Sequence, residues 1–358
     1  KEILPIIDEY FELAEFPIQL IPMFAKMGYF GINLPKKNYG GGANNIIYGL
    51  ICQEIEKGDS GLRSVVSVQN SLVMYPIFAF GSNQQKQKWL PLLAKGEIIG
   101  SFGLTEPDHG SDPANMKSLA KKVDKGYLIN GTKMWITNGS IADISIIWAK
   151  TDNDSIRGFI IEKDFDGFST ADIKNKWSLR TSITSELILQ DTFVPEENML
   201  PNVSGLKGPL SCLNQARYGI GWGAIGSAMA VYEASVKYSK ERIQFNKPIA
   251  SYQLVQEKLA WMLTEITKGQ LLAFHVGECK DKNTVRPQQI SMLKRNNTWV
   301  ARECAKLARE IHGANGISGE YPIMRHLLNM ESVYTYEGTY DMHTLILGHD
   351  ITGISAFR

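Results

Sequence analysis

The chain has 358 residues, with 38 lysines and arginines against 37 aspartates and glutamates, for a formal net charge of +1. Single hydrophobic cores stop growing at about 250–300 residues, so two or three domains or layers are expected. The near-neutral balance argues against a dedicated nucleic-acid binder, and a 44% hydrophobic content argues against disorder.

Cys52, Cys212, Cys279 and Cys304 are far apart and form no CxxC pair. Neither a disulfide framework nor a structural zinc site is indicated, and a reducing compartment is the simpler expectation. The sequence opens on Lys1 rather than Met, so a trimmed start is expected, and no signal peptide is visible. The longest uncharged stretch, Ser64 to Gln85, contains Gln69, Asn70, Pro76, Asn83 and Gln84. It is too polar for a bilayer core, which needs ~20 mostly apolar residues. Tyr218 to Tyr232 is more apolar but too short. Both read as buried helices of a soluble, intracellular protein of enzyme size.

In chain order, the first 100 residues are patterned as helices. Ile6, Ile7, Tyr10, Leu13 and Ala14 recur at helical spacing. Gly40-Gly41-Gly42 breaks the pattern. Ile46 to Ile55 and Ser71 to Phe80 read as further apolar helices, with Pro76 beginning or kinking a turn. Gln84 to Leu93 reads as a short amphipathic helix. Residues 101–207 change to short β runs. Tyr127-Leu128-Ile129 leads into Asn130-Gly131, a hairpin turn signal, and Met134 to Thr137 continues the run. Ile144 to Trp148, Gly158 to Ile161, Glu186 to Leu189 and Thr192 to Val194 follow, as expected of a small barrel or sandwich. Residues 208–358 return to helices. Leu254, Leu259, Met262, Leu263 and Ile266 line one face; Ile290, Leu293, Val300, Cys304, Leu307 and Ile311 line another. Long successive helices of this kind indicate an antiparallel bundle.

Three motifs invite other readings. Gly221-Trp222-Gly223-Ala224-Ile225-Gly226 matches the dinucleotide pattern, but no buried strand precedes it, so close helix packing is the better reading. Gly126 to Gly131 has P-loop spacing, but Thr132-Lys133 is in the wrong order. Ser291-Met292-Leu293-Lys294 has the S-x-x-K form without its partner motifs. The six histidines include no His-Glu-x-x-His, so no metal site is expected, and His312, His326, His343 and His349 read as surface or satisfied core residues.

Three stretches are richer in polar chemistry than packing requires. Phe102 to Asp112 combines turn residues, hydroxyls and backbone donors suited to a polar cofactor ring. Trp135-Ile136-Thr137-Asn138 sets an indole beside a hydroxyl. Tyr336-Glu337-Gly338-Thr339 places a carboxylate among apolar and small residues, where a raised pKa and base chemistry are expected. Singly, each could be a capped turn, a core indole or a solvated helix-end carboxylate.

Together and in this order, over essentially the whole chain, they resemble the acyl-CoA dehydrogenases. That resemblance implies an α+β chain with an N-terminal helical domain (1–100), a middle β-barrel or sandwich domain (101–207) and a C-terminal four-helix bundle (208–358). It also implies FAD as cofactor. Within the family the chain looks most like the glutaryl-CoA dehydrogenases, through Asp59-Ser60-Gly61-Leu62-Arg63-Ser64, Ser67-Val68-Gln69 and Thr335 to His343.

The resemblance assigns roles. Glu337 matches the base that removes the α-proton of the acyl thioester. Leu104, Thr105, Trp135 and Thr137 match positions around the flavin ring, and Ser111 a residue of the flavin and CoA loop. Thr339 and Asp341 match cofactor contacts beside the base. Arg242 and Phe245, with Gln253, Gly313 and Gly316, match contacts to the FAD of a neighbouring subunit. Arg217, Asn214 and Tyr336 match the substrate side. Arg63, with Ser67 and Glu56 nearby, matches the arginine that holds the distal carboxylate of glutaryl-CoA; its alternative is a local salt bridge to Asp59 or Glu56. Arg63, Arg217 and Arg242 are each expected to face an anion or polar group, and Glu337 to stand as a lone base among apolar neighbours.

The implied reaction is oxidation and decarboxylation of glutaryl-CoA to crotonyl-CoA and CO2, with electrons passed to an electron-transfer flavoprotein from a homotetramer without a membrane span. The compartment is the cytoplasm in a bacterium or the mitochondrial matrix in a eukaryote. Alternatives are a non-decarboxylating or short-chain dehydrogenase, an oxidase using O2, and a non-enzymatic acyl-CoA-binding protein. Two positions depart from the family pattern: His109, in a loop that usually holds a small residue, and Ala314, in place of a frequent glycine.

Overall fold

A computed structural model describes residues 2–356. The N-terminal part contains α1 (Ile7–Leu13), α2 (Leu20–Lys26), α3 (Asn45–Gly58), α4 (Ser60–Ser67), a π-helical segment Val68–Met74, α5 (Tyr75–Phe80) and α6 (Asn83–Ala94). Local chemistry sets several of these limits. Asn44 caps α3 by accepting the Ile47 N–H at 2.9 Å, and Ser82 with Gln85 forms a capping box at α6. Pro76 lies just after the π-helical segment, inside one helical run from Ser60 to Phe80 whose junction residues Val68, Met74 and Tyr75 all keep helical backbones. It has no N–H to give to that run, where the bonding pattern changes. The helix expected from Ser71 to Phe80 is therefore the last part of that run, π-helical as far as Met74. All of α4 and of the π-helical segment is buried. Gln69 in that segment spends its whole amide on backbone. Its Nε2 donates to the carbonyls of Leu93 and Ile98 at 3.1 Å each, and its Oε1 accepts the Gly100 N–H at 3.0 Å.

That last bond joins the helices to the middle part, a single seven-stranded sheet. Its strands are β1 (Gly100–Gly103), β2 (Leu119–Val123), β3 (Gly126–Thr137), β4 (Ile144–Thr151), β5 (Ile156–Glu162), β6 (Phe168–Asp172) and β7 (Thr184–Pro195). The order is β1-β4-β2-β3-β7-β6, with β5 paired to β4. Alternate residues of β4 serve two cores: Ile144, Ile146 and Trp148 pack with the N-terminal helices, while Ile147 and Ala149 pack with Ile129, Phe159 and Leu187 inside the sheet. Both faces are covered, which is why the strand reads as an unbroken apolar run.

Asn130-Gly131 is not a hairpin turn. The chain reverses at Asp124-Lys125, with Lys125 at φ 58°, and β3 runs straight through Asn130-Gly131 with a register shift against β7. The Asn130 amide instead binds Asp191 on β7, accepting its N–H and donating to its carboxylate, both at 2.8 Å. Long-range pairing overrides the local turn preference, and the dipeptide marks a β-bulge.

The C-terminal part has α7 (Lys207–Glu241), a small ribbon of β8 (Ile243–Gln244) and β9 (Lys247–Pro248), α8 (Gln253–Asp281), α9 (Pro287–His312), α10 (Ile323–Thr335) and α11 (Tyr340–Thr352). The Gly221 to Gly226 motif is a packing surface inside α7. A Cβ at Gly221 would lie 2.5 Å from Leu293, and one at Gly226 would lie 1.9 Å from the Gln53 carbonyl, so these glycines let α9 and α3 approach. The expected α9 stripe is buried, Leu307 only partly. On α8, Met262 and Ile266 are buried, whereas Leu254 and Leu263, expected on the same face, are exposed.

One buried carboxylate ties all three parts together. Asp59, the cap of α4, accepts the Gly61 N–H at 2.7 Å and the Thr181 hydroxyl, and also binds Arg325 Nη1 at 3.1 Å and Asn329 Nδ2 at 2.8 Å. Asn329 in turn accepts the Leu179 N–H at 2.9 Å. This fixes α4 against α10, the two elements that bring Arg63 and Tyr336 together. Among the described residues no helix is long and apolar enough to cross a membrane, no metal-binding cluster occurs, and all four cysteines are free.

Candidate active site

The turn Tyr336–Gly338 joins α10 to α11, and Thr339 caps α11 by accepting the Met342 N–H at 3.1 Å. Glu337 sits at φ 54° and Gly338 at φ 100°. A left-handed conformation costs a non-glycine residue about 1–2 kcal/mol, so it persists only where its surroundings impose it. Here two cations do so. Arg217 Nε on α7 donates to the Glu337 carbonyl at 2.7 Å. Lys294 Nζ on α9 donates to the carbonyls of Tyr336 at 2.8 Å and Gly338 at 2.6 Å. Asn214 steadies the arginine by accepting from its Nη1 at 3.3 Å.

The Glu337 carboxyl is not lone among apolar neighbours, as expected; cations surround it, though its buried Oε2 has no hydrogen-bond partner. Burial pushes its pKa up to about 7, and the charges of Arg63, Arg217 and Lys294 pull in the opposite direction without overcoming it. Burial likewise lowers Lys294 to about 7, against the opposing pull of Glu337. His343 is fully buried rather than at the surface or satisfied. Neither of its ring nitrogens has a hydrogen-bond partner among the described residues, and a Cβ on Gly338 would lie 3.0 Å from its Nε2.

Arg63 is 1% exposed and lies beside this turn. Its Nε pairs with Glu56 Oε2 at 2.5 Å, and its Nη2 donates to the Tyr336 hydroxyl. The local salt bridge weighed as an alternative is thus present with Glu56, while Asp59 pairs with Arg325 instead. Two polar atoms near it, Glu56 Oε1 and Ser67 Oγ, are buried with no partner among the described residues. Buried polar atoms without a partner call for an explanation, and a bound ligand or water is one; they also occur elsewhere in the chain, at Ser118, Trp148 and Thr192. Gly223 makes room for the pair, since a Cβ there would stand 2.0 Å from Glu56 Oε2 and 3.1 Å from Arg63 Nε.

A second group forms where β1 passes into β3's neighbourhood. Leu104 is buried, Thr105 and Thr137 are half-buried, and Trp135 is 56% exposed at φ 64°, a rare conformation for so bulky a residue. The Thr105 carbonyl accepts the Met134 N–H at 2.9 Å. Beneath them lies a buried ion pair that the sequence reading missed. Lys133 Nζ binds Glu106 Oε1 at 2.8 Å and the Leu104 carbonyl at 3.2 Å. Glu106 also accepts the N–H groups of Lys117 at 2.5 Å and Ser118 at 2.9 Å. Burial alone would raise its pKa, but Lys133 and these donors outweigh that and hold it at about 2. Ser111 lies on the exposed part of the same loop.

The remaining candidates gather elsewhere. Arg242 and Gly313 line one surface cavity of about 250 Å³ with Tyr238, Gln244, Ala314 and Asn315, with Gly316 buried near it. Phe245, 88% exposed, lines an adjoining hollow with Tyr252 and Leu254, and the exposed Gln253 lies between those two in sequence. Arg242, just past the end of α7, is 25 positions beyond Arg217, roughly 38 Å at 1.5 Å per residue. The Arg242 group is therefore separate, within one chain, from the turn that Arg217 holds. Asp341 is exposed in the first turn of α11, where a carboxylate favours the helix N-terminus.

The chain matches the acyl-CoA dehydrogenase N-terminal domain over residues 1–97, the middle domain over 101–192 and the C-terminal domain over 204–352. It belongs to the acyl-CoA dehydrogenase family. The crystal structure of glutaryl-CoA dehydrogenase from Mycobacterium smegmatis is 50% identical, superposes with a TM-score of 0.98 and covers 100% of this chain and 92% of that one. The structure of a glutaryl-CoA dehydrogenase from the same organism in complex with FADH2 is 48% identical, with the same TM-score, and the match covers 99% of this chain and 92% of that one. The short-chain-specific acyl-CoA dehydrogenase of Megasphaera elsdenii is 35% identical over 97% of this chain and 93% of its own length.

FAD is the cofactor of this family, and the residues present fit it. The exposed, strained indole of Trp135 offers a flat apolar face beside the hydroxyls of Thr105 and Thr137. The Arg242 cavity offers a guanidinium and glycine backbone, a donor set suited to a diphosphate.

Proposed function

We propose that this chain is a glutaryl-CoA dehydrogenase that oxidises and decarboxylates glutaryl-CoA to crotonyl-CoA and CO2. The observation that carries the reading is the buried Arg63, hydrogen-bonded to the residue preceding Glu337 and flanked by the unspent oxygens of Ser67 and Glu56. A carboxylate in an apolar acyl pocket costs several kcal/mol unless it is paired, and a guanidinium, always charged and forked, is a suitable partner.

In this reading Glu337 removes the α-proton of the thioester. Its raised pKa suits a base working near neutrality. Arg217 and Lys294 hold the turn so that the carboxylate is presented to the substrate, and the Glu337 N–H donates to the thioester carbonyl, where negative charge develops. Arg63, with Ser67, holds the distal carboxylate until it leaves as CO2, its bonding pair passing into the dienolate of the thioester, which takes up a proton to give crotonyl-CoA; Tyr336 holds Arg63. Leu104, Thr105, Trp135, Thr137, Ser111 and Thr339 hold FAD, which when bound accepts the β-hydride. Arg242, Phe245, Gln253, Gly313 and Gly316, whose surface cavity is separate from the Glu337 turn, are assigned to the FAD of a second subunit, in a homotetramer. The electrons leave to an electron-transfer flavoprotein.

Incubation of the FAD-loaded enzyme with glutaryl-CoA and an artificial electron acceptor tests this. Crotonyl-CoA with CO2 is expected; accumulated glutaconyl-CoA would instead assign a non-decarboxylating enzyme. The pairing of Arg63 with Glu56 favours a second reading, a short-chain dehydrogenase in which the arginine is neutralised internally. Preference for butyryl-CoA over glutaryl-CoA would establish it.

A further inference from the structure

Lys294 is fully buried, and its ammonium and the Arg217 guanidinium together hold three consecutive carbonyls, those of Tyr336, Glu337 and Gly338. These carbonyls follow the last turn of α10, where the helix leaves its acceptors unpaired and its dipole negative. A neutral donor could satisfy them, whereas withdrawing an ammonium from water costs several kcal/mol. The groups facing Glu337 come from every element around it: Arg63 on α4, Arg217 on α7, Lys294 on α9, Tyr336 on its own turn, and His343 on α11, which packs against Gly338.

We infer that Lys294 is a positioning residue for the reaction: its two bonds, on either side of Glu337, lock the left-handed turn that aims the carboxylate, and its charge keeps that carboxylate available as a base. This rests on the reading of Glu337 as the base. The S-x-x-K match that contains Lys294 is thus incidental, while the lysine in it is not. Ser291 is likewise buried, but only Lys294 reaches the turn.

The test compares Lys294→Met, Lys294→Gln and Glu337→Gln as FAD-loaded enzymes, following flavin bleaching by glutaryl-CoA in rapid mixing across pH. Both Lys294 variants are expected to keep FAD and substrate affinity; the rate of flavin reduction falls on the order of 10²-fold in Lys294→Met, the cost of misplacing a reacting group by about 1 Å, and less in Lys294→Gln, which keeps a donor for the turn. The rise of that rate with pH is expected to move to higher pH in both, because a cation near the carboxylate has been withdrawn; a purely structural role would not shift it. Wild-type rates with an unmoved pH profile would overturn the inference. Loss of FAD and fold in both variants would also overturn it, by marking Lys294 as a fold requirement. Should Glu337→Gln bleach at the wild-type rate, the base assignment itself fails, whatever the lysine variants do. A silent Glu337→Gln beside wild-type lysine variants sinks the positioning role alone.

Discussion

Glu106 and Glu337 are both carboxylates withdrawn from water near a buried lysine, and they end in opposite states. Glu106 receives Lys133 directly, together with two backbone N–H groups, and is held at about 2. Glu337 has three cations in its surroundings, yet its Oε2 has no partner, and its pKa stands at about 7. The lysines differ in the same sense: Lys133 gives its shorter bond to a carboxylate and the other to the Leu104 carbonyl, whereas Lys294 gives both to the backbone beside a carboxylate. A cation in direct contact together with short hydrogen bonds, rather than cations that are merely nearby, separates the buried carboxylate spent on the fold from the one left reactive.

That contrast can be broken at either end. The largest effect is expected at the satisfied pair. Glu106→Gln leaves Lys133 buried without a countercharge and should cost about 3–5 kcal/mol in thermal or denaturant unfolding, with weakened FAD retention. A change of only a few tenths would show that the pair contributes little. On the reactive side, Arg63→Ala should lower kcat/KM for glutaryl-CoA about 10²–10³-fold relative to butyryl-CoA, since one substrate alone brings a carboxylate needing a partner. Equal losses for both would remove Arg63 from substrate selection.

Smaller effects sharpen the picture. Glu337 has a folded pKa above its ordinary value of 4.5, so the folded state favours its neutral form. It stabilises the fold fully only at low pH, and that contribution is lost as pH rises through about 7. Glu337→Gln should therefore be more stable than the wild type at about pH 8, by up to about 3 kcal/mol, with the advantage vanishing in acid. A pH-independent difference would contradict the burial argument. Gly223→Ala should destabilise by about 1–3 kcal/mol through overpacking and displace Glu56 from Arg63, blunting selectivity for glutaryl-CoA. Unchanged selectivity would place Gly223 in helix packing alone.

The helix, sheet, helix order was legible because apolar spacing changes from helical to alternating and back, and the α9 stripe from Ile290 to Ile311 was readable outright. Asn130-Gly131 misled because its turn propensity is local, whereas β3 pairs with β7 some 60 residues away. Within the site, Glu337 and Trp135 stood out as chemistry in unusual company, and both proved to have left-handed backbones. Lys133 and Lys294 did not stand out. A lysine looks like surface in any sequence, and only the fold reveals that these two are fully buried. The Arg63–Glu56 pair, seven residues apart on two different helices, was seen as an alternative and is realised in the structure.

The central claim is that Glu337 is the base acting on glutaryl-CoA, and rapid mixing tests it most directly. FAD-loaded wild type and Glu337→Gln are each mixed with glutaryl-CoA, and flavin absorbance is followed to completion. The account predicts that the wild type bleaches and yields crotonyl-CoA while Glu337→Gln stays yellow with its FAD bound; bleaching of Glu337→Gln at the wild-type rate would contradict it.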